Sequence, residues 1–129
     1  MPQCILIVDD HEPIRKLVRA FLESEGGFSV CGEAVDGYDA IDKARELKPD
    51  LIILDLAMPR MNGIHAASRI KSVLPNTPII LLTSHQAALG NFNVRAAGVD
   101  AVIAKGTEMS VLNKSVRNLL RAAPRLRPL

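Results

Sequence analysis

The chain is poor in aromatic residues. It has no tryptophan, one tyrosine and three phenylalanines, 3% of the residues in all. Proteins that bind single-stranded nucleic acid by base stacking need a platform of such side chains, so that function is not expected. The net charge of +2 is also too small to indicate a nucleic-acid surface. Both shortages argue against direct nucleic-acid binding by this segment.

Long apolar runs and cysteines are scarce as well. No apolar run approaches the roughly 20 residues that a membrane helix needs, which predicts no membrane contact. The N-terminus enters an apolar strand pattern without a basic segment before it, which argues against a signal peptide. Cys4 and Cys31 lie in strand-like runs. We therefore expect two buried, reduced thiols in a cytoplasmic protein.

Short apolar runs, in contrast, recur along the chain at regular intervals. Continuous runs of this kind are typical of strands buried on both faces of a parallel sheet. They cover residues 4–8, 51–54, 79–82 and 101–104, and a partly alternating run at 28–34 fits a strand near a sheet edge. Apolar residues at helical spacing follow each run, although Gly90, Asn91 and Asn93 weaken the candidate helix at 86–97.

Strand and helix thus alternate five times over 129 residues, with short connections. This order predicts one α/β domain, a doubly wound five-stranded parallel sheet with helices on both faces. Asp36 and Thr107 are candidate helix caps. We expect the domain to cover residues 1–123. The tail at 124–129 starts with Pro124, cannot continue a helix, and is expected to be disordered.

Polar groups that could do chemistry stand at the ends of four of the five predicted strands. Asp9 and Asp10 follow the first, Asp55 ends the third, Thr83 the fourth and Lys105 the fifth. Ligands of open α/β sheets bind beyond the carboxyl ends of the strands, where the strand order reverses. If the first and third strands flank that point, three carboxylates meet in one cleft.

Clustered carboxylates repel one another, and a hard divalent cation relieves that repulsion. Mg²⁺ fits because it binds a few carboxylates and keeps positions for water and phosphate oxygens. Lys105 adds a positive charge and Thr83 a hydroxyl group. Together these groups predict a site for a phosphoryl group, with one carboxylate as the nucleophile, because no Ser, Cys or His is better placed.

These residues resemble the receiver domains of two-component response regulators over about residues 3–122. The matching motifs are the Asp9-Asp10 pair, the D-x-x-M-P-x-x-x-G pattern from Asp55 to Gly63, the Thr83-Ser84 pair and Lys105. The resemblance implies a flavodoxin-like fold with strand order 2-1-3-4-5.

The resemblance also implies a role for each residue of the site. Asp55 would accept a phosphoryl group from a sensor histidine kinase or a phosphotransfer protein. Asp9, Asp10, Asp55 and the backbone carbonyl of Ala57 would hold Mg²⁺. Thr83 and Lys105 would bind the phosphoryl oxygens, and the small Ser84 would leave Asp55 accessible.

The chain departs from the family pattern at two positions. Gly106 follows Lys105 where many members have proline, so a cis bond is not expected there. Val102 stands where many members carry an aromatic residue that moves when the threonine is drawn to the phosphate. His85, two residues after Thr83, is hypothesised to border the cleft and to influence the hydrolytic water.

We expect a signalling phosphoacceptor rather than an enzyme that acts on separate substrates. Phosphorylation would switch a surface of the last strand and the last two helices, which would bind an output domain or a downstream protein. Homodimer formation on phosphorylation stays open. One alternative is an aspartyl-phosphate phosphatase, although its second acid would fall at Ala57. The other is a receiver-like binding module that does not depend on phosphorylation.

Overall fold

The computed structural model describes residues 3–84, 89 and 93–126. Five parallel strands form one sheet in the order β2-β1-β3-β4-β5. The strands are β1 (Cys4–Val8), β2 (Ser29–Ala34), β3 (Leu51–Asp55), β4 (Ile79–Thr83) and β5 (Ala101–Ala104). The helices are α1 (Glu12–Ser24), α2 (Gly37–Leu47), α3 (Gly63–Val73) and α4 (Met109–Leu126). The predicted fold class and strand order are therefore confirmed.

The sheet separates two apolar cores. Strand residues pointing to one face pack against α2 and α3, as Ile52 and Ile70 do. Those pointing to the other face pack against α1 and α4, as Ile53 and Leu112 do. The central strands β1, β3 and β4 are almost completely buried on both faces, which explains their continuous apolar sequences. Strand β2 lies at an edge, as its partly alternating pattern predicts.

Local sequence signals mark the starts of three helices. Pro13 lies in the first turn of α1, and the side chain of Asp36 caps α2 by accepting a hydrogen bond from the backbone of Asp39 (2.8 Å). Asn62 caps α3 in the same way. The expectation that Thr107 caps the last helix is wrong. Helix α4 begins only at Met109, so Thr107 is not the residue directly before it.

Two other expectations concern the end of the chain and the segment between β4 and β5. Helix α4 continues past Pro124 to Leu126; a proline removes only one backbone donor, and this one comes within three residues of the helix end. The candidate helix at 86–97 falls mostly outside the described residues, and residues 94–98 form a turn. Within the described ranges, no helix has the length and apolarity needed to span a bilayer.

The two cysteines are not free thiols in the structure. A disulfide joins Cys4 to Cys31, whose Cα atoms lie 5.2 Å apart, so the expectation of reduced thiols is wrong. The register of β1 and β2 shifts between Ile5 and Leu6, where Cys31 forms a bulge in β2. Cys4 itself pairs with Ser29, so the disulfide joins a residue of β1 to the unpaired residue of the bulge.

Candidate functional site

The site forms where strands β1 and β3 end side by side. The parallel register pairs Val8 with Leu54, so the next residues, Asp9 and Asp55, lie next to each other. The chain leaves β1 toward β2 on one side, whereas β3 adds on the other side, and this reversal opens the sheet edge to ligands. Each aspartate is only 3% exposed. The topology thus buries two adjacent carboxylates that sequence reasoning had assigned to one cleft.

Lys105 joins these two carboxylates. It follows β5 directly, and its backbone nitrogen donates a hydrogen bond to the carbonyl oxygen of Thr83 (2.9 Å). Its ammonium group lies 2.8 Å from Asp9 Oδ2 and 3.2 Å from Asp55 Oδ1. The peptide bond after Lys105 is trans, as expected for glycine at position 106. Residues from three strands therefore meet at one point.

Burial and neighbouring charges both shift the pKa values of the site residues. Burial raises the pKa of Asp55, the charge of Asp9 raises it further, and Lys105 lowers it in part. Burial alone would lower the pKa of Lys105, but the hydrogen bond to Asp9 and the charge of Asp55 outweigh it, so that pKa is raised. The site thus holds a fixed cation and more negative charge than that cation balances.

Asp10 lies at the solvent side of the same cluster. Its Oδ1 atom is 3.3 Å from Nδ1 of His11, which also lies 3.6 Å from Asp9 Oδ1. One ligand atom from each of these three residues falls within 4.8 Å of the others, a spacing that suits a metal ion. Mg²⁺ prefers oxygen ligands, so the two aspartates rather than the imidazole fit it. His11 is otherwise an exposed loop residue.

Thr83 and Ser84 lie at the end of the neighbouring strand β4. Thr83 ends β4, is fully buried, and pairs with Ala104 of the neighbouring strand. Ser84 follows it and is exposed. The hypothesis about His85 concerns a residue outside the described ranges. Val102, three residues before Lys105, is partly buried against the core that contains α2 and α3.

Gly63 explains the spacing of the motif after Asp55. Its nitrogen donates a hydrogen bond to the carbonyl oxygen of Leu56 (2.8 Å). A Cβ atom at this position would collide with the carbonyl oxygen of Asp55. Only glycine lets the start of α3 approach the end of β3 this closely, because it has no side chain. Ala57 lies in the loop between β3 and α3 and is exposed. Its side chain cannot act as the second acid that the phosphatase alternative would need.

Comparison with known proteins agrees with this arrangement. The family model described as the response regulator receiver domain matches residues 5–117. The chain belongs to this family. It is a receiver domain of a two-component response regulator, and the expected resemblance is confirmed.

The receiver domain is similar to curated response regulators along most of its length. It is 40% identical over 117 residues to the response regulator protein VraR of Staphylococcus saprophyticus, a match that covers 91% of this chain and 56% of VraR. The chain therefore spans a little over half the length of such a relative. Nothing in these similarities favours a phosphatase or a binding module that works without phosphorylation.

Solved structures support the same fold. A LuxR-family response regulator from Aurantimonas superposes with a TM-score of 0.87 at 28% identity, over 95% of this chain and 87% of the other. The response regulator TrrA of Thermotoga maritima, solved in complex with Mg²⁺ and BeF, gives a TM-score of 0.82 at 31% identity. That match covers 91% of this receiver domain and 98% of TrrA.

One residue of the site was missed by sequence reasoning. The guanidinium of Arg15, in the first turn of α1, donates a hydrogen bond to the carbonyl oxygen of Asp9 (2.7 Å). A single arginine in an amphipathic helix looks like an ordinary solvated residue. Only its position, one helical turn after the acidic pair, could have drawn attention to it.

Proposed function

We propose that Asp55 is the phosphoacceptor of this receiver domain and takes a phosphoryl group from a histidine kinase or phosphotransfer protein. The carrying observation is the ion-paired cluster in which Lys105 contacts both Asp9 and Asp55. A lysine and two buried acids at the switch point of the sheet have no structural need to meet there. Phosphohistidine donors are made with ATP, so we expect the exchange to occur in the cytoplasm.

In the proposed reaction a carboxylate oxygen of Asp55 attacks the phosphorus of the donor. An O–P bond forms while the N–P bond of the phosphohistidine breaks, and the departing imidazole keeps the electron pair and takes up a proton. Lys105 and Thr83 would bind the phosphoryl oxygens and offset their charge. A carboxylate must be ionised to attack, so the raised pKa of Asp55 makes added positive charge useful.

The residues present fit a divalent cation. The carboxylates of Asp9, Asp10 and Asp55 carry three negative charges, and Lys105 carries one positive charge. The excess of two negative charges equals the charge that one Mg²⁺ ion would neutralise. Asp9, Asp10, Asp55 and the carbonyl of Ala57 would hold the ion. When bound, Mg²⁺ would neutralise charge on the transferred phosphoryl group. The similar regulator TrrA was solved with Mg²⁺ and BeF, which supports this assignment.

The output of the reaction would be a changed surface. A phosphoryl group on Asp55 adds negative charge and acceptor oxygens near Thr83, and the segment after β4 would rearrange in response. Strand β5, helix α4 and the segment between β4 and β5 would then bind an output domain or a downstream protein. The small Val102 cannot move as an aromatic ring does, so it would contribute to this change by packing alone.

Labelling with radioactive acetyl phosphate tests the assignment. The wild-type chain should become labelled in the presence of Mg²⁺ and lose labelling when Mg²⁺ is chelated. The Asp55→Asn variant should remain unlabelled, because an amide cannot form the acyl phosphate. Asp42→Asn, which changes an exposed acid on α2, serves as the matched control and should label like wild type. Labelling of Asp55→Asn at the wild-type level would refute the proposed role.

A further inference from the structure

Asp9 is held at each of its polar atoms. Its nitrogen donates to the carbonyl oxygen of Ala34 (3.1 Å). Its Oδ1 accepts from the nitrogen of His11 (2.9 Å), and its Oδ2 accepts from Lys105 (2.8 Å). The fourth contact, from Arg15 to the carbonyl oxygen (2.7 Å), is the only one of the four that reaches the link to Asp10.

That link is the peptide group between the two acids. A peptide group is planar, so fixing the carbonyl oxygen of Asp9 also fixes the nitrogen and Cα of Asp10. The side chain of Asp10 is 30% exposed, and its close contact in the described structure is with the exposed imidazole of His11. The direction in which Asp10 presents its carboxylate therefore depends on the peptide plane that Arg15 holds.

Arg15 is itself held firmly. Its side chain is only 12% exposed, and its Nε lies 2.9 Å from Oε1 of Glu33 at the end of β2. The other oxygen of Glu33 accepts from Arg19 (2.8 Å), and Lys43 donates to the carbonyl of Glu33. These contacts fix Glu33, and Glu33 in turn fixes the guanidinium.

The geometry requires an arginine. The guanidinium uses Nε for Glu33 and Nη1 for the carbonyl of Asp9, two donors with a fixed separation and direction. A lysine ammonium at this position could approach one acceptor but lacks the planar fork that reaches both. A purely structural bridge between helix and sheet would need the contact with Glu33 only.

We propose that Arg15, oriented by Glu33, is a positioning residue that holds the Asp9–Asp10 peptide group and thereby sets the affinity of the acidic pair for a divalent cation. The inference rests on the proposed function, in which that pair holds Mg²⁺. Groups that orient metal ligands from outside the coordination sphere commonly change metal affinity about 10- to 100-fold when they are lost.

The test measures Mg²⁺ binding by calorimetry and phosphorylation by acetyl phosphate in the same proteins. Arg15→Met removes the guanidinium but keeps an unbranched side chain. It should weaken Mg²⁺ binding about tenfold or more, and phosphorylation should recover at saturating Mg²⁺. Arg15→Lys should not restore wild-type affinity. Lys16→Met, the control, makes the same charge change on the same helix and should bind Mg²⁺ within about twofold of wild type, because Lys16 is exposed and pairs with Glu12.

Thermal melting of each variant separates a local effect from a loss of folding. If Arg15→Met does not fold, Glu33→Gln provides the second variant, because it keeps Arg15 and weakens its anchor; it should also weaken Mg²⁺ binding. Mg²⁺ affinities of Arg15→Met and Lys16→Met that agree within twofold would overturn the positioning role and leave the proposed function standing. A wild-type chain that neither binds Mg²⁺ nor takes up a phosphoryl group would overturn both.

Discussion

Replacement of Gly63 by alanine tests how closely helix α3 must approach the end of strand β3. The added Cβ would meet the carbonyl oxygen of Asp55 at less than contact distance and would lie 3.0 Å from the Cα of Leu56. The helix or the end of β3 must therefore move. Each of these groups belongs to backbone, so no flexible side chain can absorb the collision.

The expected change in the free energy of unfolding combines one stabilising and two destabilising contributions. Alanine favours a helix over glycine by at most about 1 kcal/mol. Overpacking costs about 1–3 kcal/mol, and loss of the Gly63–Leu56 backbone hydrogen bond (2.8 Å) costs about 0.5–1.5 kcal/mol. We expect a net loss of about 1–3 kcal/mol in the free energy of unfolding, which for a chain of 129 residues lowers Tm by roughly 3–12 °C.

Urea unfolding followed by circular dichroism measures this change. Ser68→Ala, at an exposed position of the same helix, is the control and should be neutral or slightly stabilising. The Gly63→Ala variant should also label more slowly with acetyl phosphate, because the displaced backbone carries Asp55. A Gly63→Ala variant as stable as wild type, with normal labelling, would refute the reasoning from close approach.

Three further changes test the network around the site. Asp36→Ala should lower stability by about 1–2 kcal/mol in urea, because α2 loses its N-cap; Asp36→Asn, which can still cap, should lose clearly less, and equal losses would contradict a capping role. Arg19 above all lowers the pKa of Glu33. The contribution of the Glu33 carboxylate to stability is therefore present above its ordinary pKa of 4.5. It is lost as the pH falls through the lower pKa that Glu33 has in the folded protein. Glu33→Gln should thus flatten the fall in stability as pH is lowered below 4.5; an unchanged slope there would show that the ion pair contributes nothing. Reduction of the Cys4–Cys31 disulfide, which closes a 27-residue separation, should lower stability by about 3.5 kcal/mol at most, with no effect of reductant on a double serine variant; an equal effect on both proteins would place the cause elsewhere.

The fold followed from local patterns because those patterns are physically strong. Strands such as β3 are buried on both faces, so every residue from Leu51 to Leu54 must be apolar. The polar residue that ends such a run then marks the edge of the sheet where ligands bind. The position of Asp9 beside Asp55 also needs β1 and β3 to be neighbours, which the resemblance to receiver domains implies and the observed strand order confirms.

What could not be predicted depends on geometry that no local pattern carries. The disulfide forms at the bulge at Cys31, a one-residue irregularity in pairing between β1 and β2 that the sequence does not mark. The role of Arg15 requires the side chain to reach back over the end of β1 to a backbone oxygen. The start of α4 at Met109 rather than beside Thr107 depends on the turn after β5, where Thr107 donates to the carbonyl of Ala104 (3.0 Å).

The position of the phosphoryl group is the most direct measure of the proposed chemistry. After treatment with acetyl phosphate and Mg²⁺, borohydride converts a phosphorylated aspartate to homoserine, which tandem mass spectrometry can locate in the chain. We expect homoserine at position 55 and at neither Asp9 nor Asp10. Homoserine at one of those two positions, or no acyl phosphate anywhere, would contradict it.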